Sequence, residues 1–351
     1  MRLLKSDPTS GHAANCQHSH IMAITGPGSY GPTMNLFNAH WEAANSLLGS
    51  TPYIVRLAEA NTTMTRAQFE ALKNTLVAQQ DAVQSCLTQQ QVARGEINMQ
   101  KTALLAQFAL FASVLDGYFQ NTKFDEERPV APSFNDGQLV FNRPLKKVLN
   151  LWEEINKGPA PAGVTLPLVL SDGTAHSTFA SAVSALQFAY DQEGKKETLV
   201  GLARGARNLT QDKAYEAMKF YREGARNAFR AFPQLLATLP RLTPLPGHTP
   251  VPVPASAVFQ APNATKVVYE ASTDADLHSY QLRGTAGDHY DETDAVVLGT
   301  HGPNDPREFI TTFGLTQPGV KIALKVFVIL NTDNEAGSAP MIVERPLAQA
   351  A

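Results

Sequence analysis

The sequence predicts a multidomain α + β protein: a duplicated all-α helical bundle with short accessory strands, a proline-rich linker, and a C-terminal antiparallel β-sandwich. Three observations carry this reading. "ARGEIN" at 93–98 returns as "ARGARN" at 203–208, an offset of 110 residues. Six prolines crowd residues 239–256. Beyond them the apolar period changes from helical to two.

The repeat extends well past the hexapeptide. At the same offset Phe69 falls on Phe179, Leu76 on Leu186 and Phe119 on Phe229; one residue of slippage sets Trp41 of "HWEAAN" on Trp152 of "LWEEIN". Each copy begins with a short amphipathic helix around its tryptophan. A brief strand follows, with Val55 and Leu57 alternating in the first copy and Leu166, Leu168 and Leu170 in the second. Thr65 and Gln68 form a capping box that opens the next helix, whose buried face carries Phe69, Leu72, Leu76, Val83 and Leu87. A further helix carries Phe108, Phe111 and Leu115 in one copy, Met218 and Tyr221 in the other. Gly95 and Gly205 leave open whether these two helices are continuous. Two hairpins related by duplication make a four-helix bundle, beside which the two strands could pair.

The expected boundaries are a flexible leader (1–35), a first helical repeat (36–122), a connector (123–144), a second repeat (145–238), the linker (239–256), the sandwich (257–346) and a tail (347–351). A linker so rich in proline runs extended and stiff, because proline can neither continue a helix nor join a ladder.

Composition narrows function. Of 351 residues, 43% are hydrophobic and 17% charged, as in a folded chain. Net charge is −3, so no basic field recruits nucleic acid or an anionic membrane. Residues 255–346 hold 6 Lys/Arg against 12 Asp/Glu, so the acidity gathers at the C-terminal end. Two cysteines, Cys16 and Cys86, build no disulfide framework, and no secretory or membrane-spanning segment is visible; a cytoplasmic location is expected. "HAANCQHSH" (12–20) is rich in ligand atoms but crowded, in a polar tail with no apolar pattern around it, so no metal and no cofactor is expected. Met22 opens a natural-looking start, making residues 1–21 an expected extension. "GPGSYG" (26–31) matches the dinucleotide string without its strand–loop–helix setting and is read as part of the leader.

Past the linker, "TKVVYEAS", "DLHSYQLRG", "DAVVLGT", "REFITTFGL", "KIALKVFVIL" and "APMIVERP" are strand-like runs parted by turn residues. "GLTQPGVKIALKVFVILNTDNEAGSAPMIV" resembles the E–F corner and the F and G strands of a fibronectin type III domain. "VVYEASTDADLHSYQLRG" resembles its B and C strands, with Tyr280 in the strand-C tyrosine position. Tyr269 stands at the strand-B tryptophan position and Ile322 at the corner tyrosine, and the C–E region is longer than usual. The resemblance implies a spacer or binding module whose B–C and F–G loops share one end, which gathers Asp274, Asp276, Asn331, Asp333, Asn334 and Glu335 as a candidate binding tip.

A second candidate surface is the basic stripe Lys219, Arg222, Arg226 and Arg230 on the last long helix: it could bind phosphate or a nucleic-acid backbone or face the acidic sandwich, while the interleaved Glu216 and Glu223 favour a solvated face. No G-x-S-x-G, Walker, C-x-x-C or H-E-x-x-H motif occurs. The expected function is therefore a non-catalytic structural or adaptor protein with protein partners, a homo-oligomer remaining compatible. A glycan- or Ca²⁺-binding module at the loop tip is the first alternative. An enzyme using Glu42 and Glu153 between the copies is the second.

Overall fold

A computed structural model describes residues 23–58 and 62–346. α1 (Tyr30–Leu48) leads through the two-residue strands β1 (Val55–Arg56) and β2 (Thr63–Met64) into α2 (Arg66–Tyr118). After one turn of helix, α3 (Lys123–Glu126), the second copy repeats that order with α4 (Gln138–Lys157), a Val169–Ala175 bridge and α5 (His176–Ala228). α2 and α5 are 53 residues each, and their ends lie 110 residues apart. Each spans about 80 Å.

Gly95 and Gly205 sit inside continuous helix, with open space where a side chain would be. Glycine's cost of about 1 kcal/mol there is too small to break a helix anchored by packing on both sides. Each copy is thus one short and one long helix rather than a hairpin. The four-helix bundle becomes an antiparallel pair of long helices with a short helix at either end. Among the described residues the brief strands pair within their own copy, Val55 with Met64 and Val169 with Ala175, and not across copies.

The long pair is set by a heptad. Phe69, Leu76, Val83, Gln90, Ile97, Leu104 and Phe111 on α2 recur every seventh residue and are buried. Val200, Arg207, Ala214 and Tyr221 do so on α5. Such spacing keeps one seam facing the partner. The seam is apolar at both ends and polar at the waist, where Gln90 Nε2 (3.1 Å) and Arg94 Nε (2.8 Å) donate to Glu193 Oε1 and fix the register.

Each end is assembled from both copies. Trp41 lies against Phe69 of its own copy and Tyr221 of the other, with ring centroids 5.8 and 4.9 Å away. Trp152 repeats this with Phe179 and Phe111, at 5.9 and 5.1 Å. The asparagine one turn later completes each corner. Trp41 Nε1 donates to the Tyr53 carbonyl (2.9 Å) while the Tyr53 amide donates to Asn45 Oδ1 (2.8 Å). Trp152 donates to the Leu168 carbonyl (3.2 Å), and the Leu168 amide to Asn156 Oδ1 (2.7 Å).

After α6 (Pro233–Ala237) the sandwich follows: β3 (Ala255–Gln260), β4 (Ala264–Tyr269), β5 (Leu277–Ala286), β6 (Val296–His301), β7 (Glu308–Thr311), β8 (Lys321–Leu330), β9 (Glu335–Gly337) and β10 (Met341–Glu344). One sheet runs β3-β4-β7. The other runs β10-β8-β5-β6, with β9 also on β8. Val267, Leu282, Leu324, Val326 and Val328 fill the space between them. β8 is buried on both faces, because Tyr290 and Ala295 fold over Ala323, Phe327 and Ile329 on its outer side. That explains its nearly unbroken apolar run.

Two expectations change. The chain is packed from Ala23 on, so the leader's boundary at 35 falls inside α1; Gly28 comes so near the Ala295 carbonyl that a Cβ would lie 2.7 Å from it. Nor is the proline segment a free strut. Leu239 and Leu242 are buried in the helical end and Val253 in the sandwich core. Between them the Leu245 amide donates to the Thr332 carbonyl at 2.8 Å. "HAANCQHSH" and the tail lie outside the described residues.

If the two tryptophan corners are equivalent, Asn45→Ala and Asn156→Ala each cost about 1–2 kcal/mol in urea denaturation, since each leaves the Tyr53 or Leu168 backbone amide without its acceptor. A cost at one end alone contradicts the equivalence.

Candidate functional site

The sandwich meets the helices at their waist. Gln84 of α2 takes the Ala286 amide on Oε1 (3.2 Å) and donates to the Asp294 carbonyl; Gln91 Oε1 accepts from the Lys321 amide (3.0 Å). From α5, Arg207 Nη1 donates to Asp294 Oδ1 at 2.7 Å and Arg204 Nε to Oδ2 at 2.9 Å. The side chains of Asp294 and Arg207 are 1% and 4% exposed. Arg207 Nε and Nη2 donate to Asn208 Oδ1 as well. This is a paired, hydrogen-bonded charge with nearly all of its water removed, the condition under which a buried ion pair is tolerated.

The pair marks where the duplication loses symmetry. At the heptad position of Arg207 the first copy has Ile97, and Arg94, the counterpart of Arg204, turns to Glu193. Hydrogen bonding to Asp294 raises the Arg204 guanidinium above its ordinary value. Burial pushes the Asp291 carboxyl up, but hydrogen bonds from Thr293 and the charge of Arg204 bring it below the usual range.

Beside this junction opens a cleft of about 620 Å³, lined by Gln91, Arg94, Asn98, Arg204, His289 and Lys321 among others. Its charges are largely engaged in pairs: Arg94 with Glu193, Arg204 with Asp291 and Asp294, Lys321 with Glu344. His40 is a packing residue, its ring nitrogens 2.7 Å from Tyr221 Oη and 2.8 Å from the Leu235 carbonyl.

The sequence-predicted residues divide into separate groups. Asp274 and Asp276 face the linker at His248, at 3.0 and 3.7 Å. Asn334 Nδ2 donates to the Leu245 carbonyl, and the Asn331 amide to the Asp276 carbonyl. Asp333 is buried at a positive φ of 67° in the turn after β8. Glu335 lies on β9 against Arg283 (2.8 Å). The tip thus receives the chain's own linker. On the basic stripe Lys219 lies over the Phe220 ring and Arg230 donates to Asn227. Partial burial and the nearby Arg226 and Arg241 lower the Arg222 guanidinium. Among the described residues, Arg204 and Arg207 are the helical cations paired with the acidic sandwich instead. Glu42 pairs with Arg66 and Glu153 with Lys157; both are exposed and lie at opposite ends, so no carboxylate pair forms between the copies.

No family model and no curated protein matches this sequence. Solved structures resemble it over its C-terminal β region. An Fn3-like protein from Clostridium thermocellum is 18% identical over 29% of this chain and 100% of its own, with a TM-score of 0.23. The FN1–FN3 domains of chicken CNTN1 are 16% identical over 30% of this chain and 33% of theirs (TM-score 0.24). The fn3 domain of human contactin 1 is 15% identical over 31% and 87% (TM-score 0.24).

Asp294→Ala leaves Arg207 buried without a counter-charge and costs about 3–5 kcal/mol in urea denaturation. Arg207→Ile combined with Asp294→Leu costs less than Asp294→Ala alone; a larger cost for the double variant contradicts the pairing.

Proposed function

We propose that this chain is a non-catalytic adaptor: a stiff helical pair that holds a sandwich in one orientation and presents its free sheet to a protein partner. The observation that carries this is how the two sheets differ. The β10-β8-β5-β6 sheet is covered by residues 287–295 and the helical waist, and the loop end is taken by the linker. The outer face of β3-β4-β7 remains open, with Val258 64%, Val268 43% and Ile310 65% exposed. Val258 and Ile310 flank Lys266 across the sheet, and Lys266 pairs with Glu308. An apolar patch with a charged rim on an open sheet face is suited to protein contact. A membrane role through a spanning helix has no support: among the described residues, no helix is long and apolar enough to cross a bilayer.

Cross-linking of the full chain in the cells that make it, read by mass spectrometry, tests this. Cross-links should fall on β3, β4 and β7, and Val258→Glu with Ile310→Glu should cut partner recovery at least tenfold without lowering the melting temperature. Undiminished recovery with both variants, or no partner at all, contradicts the adaptor reading.

A further inference from the structure

One group of ligand atoms is brought together by segments far apart in sequence. His248, in the linker, places Nε2 3.0 Å from Asp274 Oδ1 and 3.7 Å from Asp276 Oδ1. All three atoms lie within 4.8 Å of one another.

The placement is built on both sides. Upstream, the Leu245 amide and carbonyl are bonded to the β8–β9 turn, and at Gly247 a Cβ would lie 3.0 Å from Asn334 Nδ2 and 3.2 Å from the Thr332 methyl. Downstream, the Val251 amide donates to Asp274 Oδ2 at 3.1 Å, and Ser272 Oγ donates to the same oxygen at 3.1 Å. Those two bonds hold the carboxylate with its other oxygen toward the imidazole. Outer hydrogen bonds of this kind orient metal ligands.

We propose that His248, Asp274 and Asp276 form a divalent transition-metal site that staples the proline-rich linker to the sandwich. The chemistry selects the ion class. One imidazole and two carboxylates suit zinc and its neighbours. Calcium prefers six to eight oxygens and gains nothing from the nitrogen. The spacing agrees: ligands about 2.0–2.1 Å from zinc in a tetrahedron are about 3.3–3.4 Å from one another. The two separations to His248 bracket that edge. Three protein ligands leave the fourth position to water, since His248 is 57% and Asp276 39% exposed on their side chains. The linker carries the chain from the helical end to the sandwich, so a filled site stabilises the junction between them.

The test uses the full chain with His12→Ala, Cys16→Ser, His18→Ala and His20→Ala as background, which removes the competing N-terminal ligands. Titration with ZnCl₂ by calorimetry should show one site. Zinc at about 100-fold excess over Kd should raise the melting temperature by about 4 °C, and CaCl₂ should raise it far less. Cobalt(II) should give the absorption of a four-coordinate ion. Adding His248→Ala or, separately, Asp276→Asn should weaken zinc binding at least tenfold while leaving the zinc-free melting temperature in place. A smaller change in both variants, an equal response to calcium, or no zinc uptake by the background chain overturns the proposal. None of these outcomes depends on the adaptor reading, which cross-linking tests separately.

Discussion

A guanidinium and a carboxylate removed from water together decide how this molecule is put together. Arg207 and Asp294 belong to bodies that could each fold around its own core, yet neither charge tolerates burial alone. Once one is covered the other must be in place. That requirement sets the sandwich against the waist of the helical pair, orients the acidic loop before β6, and leaves the opposite sheet as the open face. Gln84 and Gln91 then add backbone bonds that only this orientation allows.

The helical half supplies the platform. A heptad seam holds two long helices antiparallel, and the exchange of aromatic partners around Trp41 and Trp152 makes each end depend on both copies. Apolar packing at the ends carries stability. The polar waist, where Gln90 and Arg94 meet Glu193, carries register and leaves a hydrophilic surface to which a second body can bind. A wholly apolar seam would have permitted sliding, with loss of the Arg204 and Arg207 positions.

Much of this architecture is legible in the sequence, and the misses have physical causes. The 110-residue offset predicts two copies, and the long helices begin and end at that offset. The Thr65–Gln68 capping box stands where it is expected. Gly95 and Gly205 mislead, because a weak local propensity is overridden by packing on either side. Prolines at 240–254 argue against helix and ladder but say nothing of what the extended chain lies on. Loop-tip residues read as a binding surface are within reach of their own linker, a contact that sequence distance conceals. Asp294 is hidden inside the acidic run "GDHYDETD", which looks like solvated loop. The signal available for it was the arginine at position 207, where the heptad and Ile97 call for an apolar residue.

If a buried ion pair and a bound linker unite the two halves, the chain in solution is one body. Small-angle X-ray scattering measures this directly. The expected result is a distance distribution that keeps its shape and radius of gyration up to about 1 M salt, because ions that screen exposed charges do not reach a pair excluded from solvent. A distribution that lengthens, or whose radius of gyration grows, as salt is added would mean that sandwich and helices move independently, and would contradict it.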